Sequence, residues 1–196
     1  MIRAFVAIEL DSDLRGVLAK AQSLVKERLA ETASSARIQW VRMESLHLTL
    51  KFLGEINEAL VPDIERALGH AVAGTARFAV QVGGYGVFPD ARAPRVLWIG
   101  LADPHGALAR LAGAVERAMQ PLGFAPEPKG FSPHLTLARI KDGSREVGRA
   151  MPATGLLGTS SVLGSLTVEA VALMKSELKP SGAVYTRLVE VPLLAP

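Results

Sequence analysis

The chain of 196 residues contains no cysteine. Disulfides, thiolate metal sites and cysteine nucleophiles are therefore excluded, and the composition agrees with a reducing compartment. Long apolar runs are also missing. The first hydrophobic stretch, Ile2 to Leu10, is short, contains Glu9 and runs into Asp11 and Asp13. It fits neither a signal peptide nor a membrane-spanning helix. Charge of one sign is scarce too: 22 Lys and Arg against 19 Asp and Glu leave a net +3. That balance suits an anionic substrate but is too small for extensive wrapping of nucleic acid. With 49% hydrophobic and 21% charged residues, the expectation is a soluble, cytoplasmic globular protein with a substantial core and no membrane contact.

Histidine is the last scarce residue, with four in the chain. Two of the four head the same tetrapeptide, His47-Leu48-Thr49-Leu50 and His134-Leu135-Thr136-Leu137. As a β-strand, each copy turns His and Thr to one face and both leucines to the other. One copy would pass for an ordinary half-buried strand. Two copies facing each other supply two imidazoles, one to take a proton and one to give it, and two hydroxyls to hold an anion between them. This is enough for metal-free acid–base chemistry on a phosphate. His70, near the end of a helical pattern, and His105, near the start of another, have no patterned threonine and read as structural or solvent-facing.

The pattern along the chain is mixed. Strands are expected at Ile2–Leu10, Ile38–Arg42 and from His47 to about Leu53, where Gly54 would end the strand. Asp11 is a plausible cap for a helix carrying Leu14, Val17, Leu18, Ala21, Leu24, Val25 and Leu29. A second helix is expected over Glu58–Ala73, with Pro62 in its first turn. Strands at Arg77–Val82 and Arg95–Leu101 flank a glycine-rich stretch, Gly83 to Asp90. Its spacing matches neither nucleotide-binding fingerprint and reads as a bulged bend or turn. A helix over Pro104–Met119, a proline-rich segment, a strand at His134–Ile140 and a short helix near Ser144–Met151 follow. Strands at Ser165–Leu178 and Ala183–Val191, joined by a turn at Ser181-Gly182, close the chain.

The element order strand–helix–strand–strand–helix occurs near 2–73 and again near 95–151, as in an internal duplication. Two such lobes about a pseudo-twofold axis would face the motif strands across one cleft. The expected fold is therefore α+β and bilobal, a single domain over 1–196. Each lobe would carry an antiparallel sheet with outer helices, and the active-site cleft would lie between them.

The paired H-x-T-x motifs resemble the 2H (two-histidine) phosphoesterase superfamily. The flanking text is similar to its RNA 2′,3′-cyclic phosphodiesterase branch, also called 2′-5′ RNA ligases. The matching stretches are Ile2–Ile8, Trp40-Val41, His47 to Gly54, Phe88-Pro89, Pro94–Trp98, Phe131 to Arg139, Met174-Lys175-Ser176, Gly182 and Tyr185. The resemblance implies metal-independent, cofactor-free hydrolysis of an RNA or nucleotide 2′,3′-cyclic phosphate to a 2′-phosphomonoester; a monomer is the expected state. It implies His134 as proton acceptor, His47 as proton donor, and Thr49 and Thr136 as phosphate ligands. Arg139, beside phosphate and base, and Phe52, stacking on the base, are carried over as substrate-binding residues. Both have the wrong strand parity for the cleft and would need a bulge or strand end to reach it. Lys51, Arg42 and Lys129 are candidates for a basic approach to RNA.

Other readings compete with hydrolysis of the cyclic phosphate. The same site would serve 2′-5′ ligation, or phosphodiesterase action on 2′-5′ oligonucleotides or an ADP-ribose cyclic phosphate. A catalytically silent RNA-binding module would not need the acid–base pair. A metal site on the two histidines would lack further ligands, because neither motif contains an acidic residue.

Overall fold

The computed structural model describes residues 1–159, 161–179 and 182–195, so the first residue of the expected Ser181-Gly182 turn lies outside them. Among the described residues nine strands form two antiparallel sheets. They are β1 (Ile2–Glu9), β2 (Arg37–Trp40), β3 (His47–Ile56), β4 (Phe78–Phe88), β5 (Val96–Ala102), β6 (His134–Asp142), β7 (Val162–Val168), β8 (Ala170–Lys179) and β9 (Gly182–Pro192). The first sheet has the order β3-β1-β8-β9 and the second β2-β6-β5-β4-β7. Four helices accompany them: α1 (Ser12–Thr32), α2 (Val61–Val72), α3 (Ala107–Met119) and α4 (Ser144–Ala150).

Leu14, Leu18, Ala21, Val25 and Leu29 form the buried stripe of α1, and the Asp11 carboxylate accepts from the Leu14 amide as its N-cap. Helix α1 leaves the first sheet and packs with α4 behind the second, against β7. Helix α3 does the reverse. It follows β5 of the second sheet and packs with α2 behind the first, against β3. Each sheet is thus covered on its outer face by helices, one of them exchanged from the other half of the chain. Among the described residues no helix is long and apolar enough to cross a membrane.

Three expected boundaries moved. Gly54 does not end β3. It sits inside the strand at φ 71°, next to an irregularity that leaves Leu53 without a partner on β1. The glycine-rich stretch is less turn-like than its composition suggested, because β4 runs through it to Phe88, with the expected bulge between Gly83 and Tyr85. The single strand expected at Ser165–Leu178 is two strands. The chain breaks at Glu169, so β7 completes the second sheet and β8 enters the first. Apolar residues continue on both sides of Glu169 and hid the change of sheet, although the core-facing parity shifts there, from Leu166 and Val168 to Val171 and Leu173.

Lys51 corrects a different expectation. It does not line a basic approach; it is 2% exposed and points behind β3. Its Nζ donates to Glu116 Oε1 at 2.6 Å and to the Ala125 carbonyl at 2.9 Å. This buried pair clamps β3 to α3 and to the segment that crosses back toward β6. Glu116→Ala leaves the ammonium buried without a counter-charge and is expected to cost about 3–5 kcal/mol in denaturant unfolding. Lys51→Met combined with Glu116→Leu should recover most of that loss. Equal destabilisation of the single and double variants would contradict the ion-pair account.

Candidate active site

The two motifs occupy the starts of β3 and β6. Leu48, Leu135 and Leu137 are fully buried and Leu50 nearly so, each worth about 1.5–3 kcal/mol of burial. That anchorage holds His47 and Thr49 on the opposite face of one strand, and His134 and Thr136 on the opposite face of the other. All four line a single cleft between the sheets, of about 800 Å³. Neither threonine hydroxyl has a protein hydrogen-bond partner among the described residues, so both remain able to donate to a ligand.

Both imidazoles are held in the same way. Nδ1 of His47 lies 2.8 Å from the Ser45 carbonyl, and Nδ1 of His134 lies 2.8 Å from the Ser132 carbonyl. A carbonyl only accepts, so each Nδ1 carries a hydrogen, and each Nε2 is left to exchange a proton with a ligand. Aromatic side chains wall both rings. Phe5 and Tyr185 stand 4.6 and 4.8 Å from the His47 ring centre. Phe88 meets His134 edge-on at 5.1 Å and Trp98 lies at 6.3 Å. Gly86 gives the indole its place, because a Cβ there would collide with the Trp98 ring. In the sequence these four aromatics stand out only as part of the stretches that resemble the family; their place at the histidines depends on pairing across strands, which no local pattern reveals.

Arg139 and Phe52 both reach the cleft. The residue that corrects their parity is the last leucine of each motif. Leu50 has no partner on β1, and Leu137 has none on β5, so each strand carries a bulge immediately after its threonine. Two successive residues then face the core, Leu50 with Lys51 and Leu137 with Ala138. The next residue, Phe52 or Arg139, returns to the face of the histidine. Gln22 of α1 supports the second bulge. Its Nε2 donates to the Leu137 carbonyl at 2.9 Å and to that of Val41 at 2.8 Å. Nothing in the sequence marked Gln22 beyond its being polar on the packed side of a helix.

Arg42 lines the cleft, as do Arg3, Lys141 and Lys179, and among the described residues no Asp or Glu does. Lys129 is exposed and lies away from it, as do His70 and His105. Among the described residues there is no cluster of three His, Cys, Asp or Glu side chains placed to hold a metal. The cleft is built for an anion.

The family described as LigT like Phosphoesterase matches the chain twice, over residues 14–98 and 99–185. The chain belongs to this family. A protein named RNA 2′,3′-cyclic phosphodiesterase from Methanothermobacter thermautotrophicus is 35% identical, over 94% of this chain and 95% of its own length. The crystal structure of TT0787 of Thermus thermophilus superimposes with a TM-score of 0.75 at 33% identity, covering 98% of each chain. Apo LigT of E. coli gives a TM-score of 0.72 at 26% identity, covering 98% of this chain and 97% of its own. The α+β architecture of two antiparallel sheets is thus that of the LigT-like phosphoesterases.

Burial lowers the pKa of His47 from 6.5 to about 4; the Arg139 charge and His134 add to the effect, and the hydrogen bond to Ser45 opposes it. On its own, His47 is therefore neutral at pH 7. A bound anion favours its charged form, so binding must draw in a proton between pH 4 and the raised pKa of the complex. Sulfate, which does not titrate in this range, should bind with net proton uptake near pH 5.5 and more weakly as pH rises. Calorimetry in buffers of different ionisation enthalpy measures the uptake, and His47→Gln should abolish it. Uptake unchanged in that variant would contradict the assignment.

Proposed function

We propose that this protein hydrolyses the terminal 2′,3′-cyclic phosphodiester of RNA to a 2′-phosphomonoester, without a metal or cofactor. The observation that carries this reading is the convergence of two Nδ1-tethered histidines and two free threonine hydroxyls on one carboxylate-free cleft. His134 Nε2 takes a proton from water as the water oxygen attacks phosphorus. The bond from phosphorus to the 3′ oxygen breaks, and the leaving oxygen takes the Nε2 proton of His47. The 2′ ester bond survives, and solvent exchange returns both imidazoles to their starting states.

His47, neutral at pH 7 on its own, fits the donor role only once substrate is bound. The phosphate charge offsets the burial that holds its pKa down, so the acid forms where and when its proton is needed. Thr49 and Thr136 donate to the non-bridging oxygens, and Arg139 adds positive charge beside them. Phe52 offers its exposed face to the terminal base. The whole constellation comes from one chain, which supports a monomer as the working unit, and a cysteine-free chain fits the cytoplasm. We also read the single domain as two related units near 2–73 and 95–151. The twice-matched family pattern and the identical bulge after each motif support that reading.

Incubation with nucleoside 2′,3′-cyclic phosphates and identification of the product isomer tests the reaction. The 2′-phosphate is expected, at a rate unaffected by EDTA; formation of the 3′-phosphate would contradict the assigned direction of attack. His47→Ala and His134→Ala should each lower turnover by about two to four orders of magnitude. The double variant should lose far less than the product of the two, because the pair acts as a unit. His70→Ala and His105→Ala should be silent. Near-normal turnover without either motif histidine would sink the mechanism.

A further inference from the structure

The two motif strands are alike up to the bulge and then diverge. Along β3 the residues facing the cleft are His47, Thr49, Phe52 and Gly54; along β6 they are His134, Thr136, Arg139 and Lys141. One wall therefore continues into a ring that is 58% exposed and a residue with no side chain, where nothing stands within 4 Å of a Cβ position. The other wall continues into two cations. Among the described residues neither Arg139 nor Lys141 is engaged in an ion pair. Beyond the histidine and threonine the β3 stripe is thus uncharged and ends in an exposed ring, whereas the β6 stripe carries two unneutralised cations; Arg3 of β1 and Lys179 of β8 add positive charge to the first sheet's side of the cleft.

The spacing adds a length scale. Same-face positions on a strand recur about every 6.6 Å, comparable with one extended sugar–phosphate repeat. Arg139 is one such step beyond Thr136, with the bulge absorbed into the core, and Lys141 is two. Arg139 lines the same cleft as both histidines, one step beyond Thr136, so this first cation stands between the reacting phosphate and the next one upstream. A single strand presents its phosphates on one side and its bases on the other, and a charged track facing a stacking surface matches that division.

We propose that the cleft is a register for the single-stranded 3′ end of RNA, two nucleotides longer than the reaction itself requires. With the cyclic phosphate between the histidines, the first upstream phosphate lies level with Arg139 and the second with Lys141. The bases turn toward the wall formed by Phe52 and Gly54. This inference rests on the cyclic phosphodiester reading above and adds to it a substrate class. That class is an oligonucleotide end of at least three residues, unpaired and of any sequence. A duplex end, with its bases turned to each other, does not offer a face to Phe52.

The test is a length series from nucleoside 2′,3′-cyclic phosphate through the di-, tri- and tetranucleotides, each ending in the cyclic phosphate. The value of kcat/KM should rise about three- to tenfold at each step to the trinucleotide and then level off. The slope of its logarithm against the logarithm of salt concentration should steepen by about 0.7 for each added phosphate. Lys141→Ala should erase the step from di- to trinucleotide, and Lys26→Ala, on the outer face of α1, should preserve it. Normal hydrolysis of the nucleoside cyclic phosphate with no gain on lengthening would overturn the register and leave the reaction standing. Absence of turnover on every member would overturn the reaction instead. Affinities of oligonucleotides ending in a 2′-phosphate, measured in parallel, then decide the register by the same dependence on length and on Lys141.

Discussion

The site depends on the burial of two leucines in each motif. Because Leu48, Leu50, Leu135 and Leu137 are committed to the core, the histidine and threonine between them have no choice of face. The chemistry is fixed by packing behind it rather than by contacts inside the cleft, which is left free for a ligand. A one-residue slip of either strand would expose two leucines and bury an imidazole, so register and function are protected by the same energy.

The bulge after each threonine shows where strand alternation stops being a sufficient guide. Alternation alone located His47, Thr49, His134 and Thr136 and placed their partners behind them. It misplaced Lys51, assigned to the cleft and found in the core, and it set Phe52 and Arg139 on the wrong face. A bulge is a property of a pair of strands, and its residues look ordinary within either one. The same limit explains why β7 and β8 read as one strand and why Gln22 passed unnoticed. Local pattern reports which residues are buried, but not which sheet receives them or which carbonyl they support. The helices and most of the strands were legible because their periodicity and caps are local.

Electrostatics completes the arrangement. Among the described residues five cations and no carboxylate line the cleft, yet His47 is held neutral by burial. A site already full of positive charge does not keep an imidazolium at rest. In the proposed reaction an arriving phosphate reverses that balance, so that substrate and proton enter together. The threonines, which carry no charge, can stabilise the added negative charge of the transition state without repelling that proton.

The claim on which the account turns is that both Nε2 atoms meet one phosphate while both Nδ1 atoms stay tethered to the backbone. Nitrogen-15 NMR of the histidine rings, with and without a bound 2′-nucleotide, measures this directly. The account predicts that His47 and His134 both show protonated Nδ1 in the free protein and that the Nε2 signals of both move on binding, with His70 and His105 unchanged. A response from only one of the two motif histidines, or a free-state tautomer protonated on Nε2 in either, would contradict it.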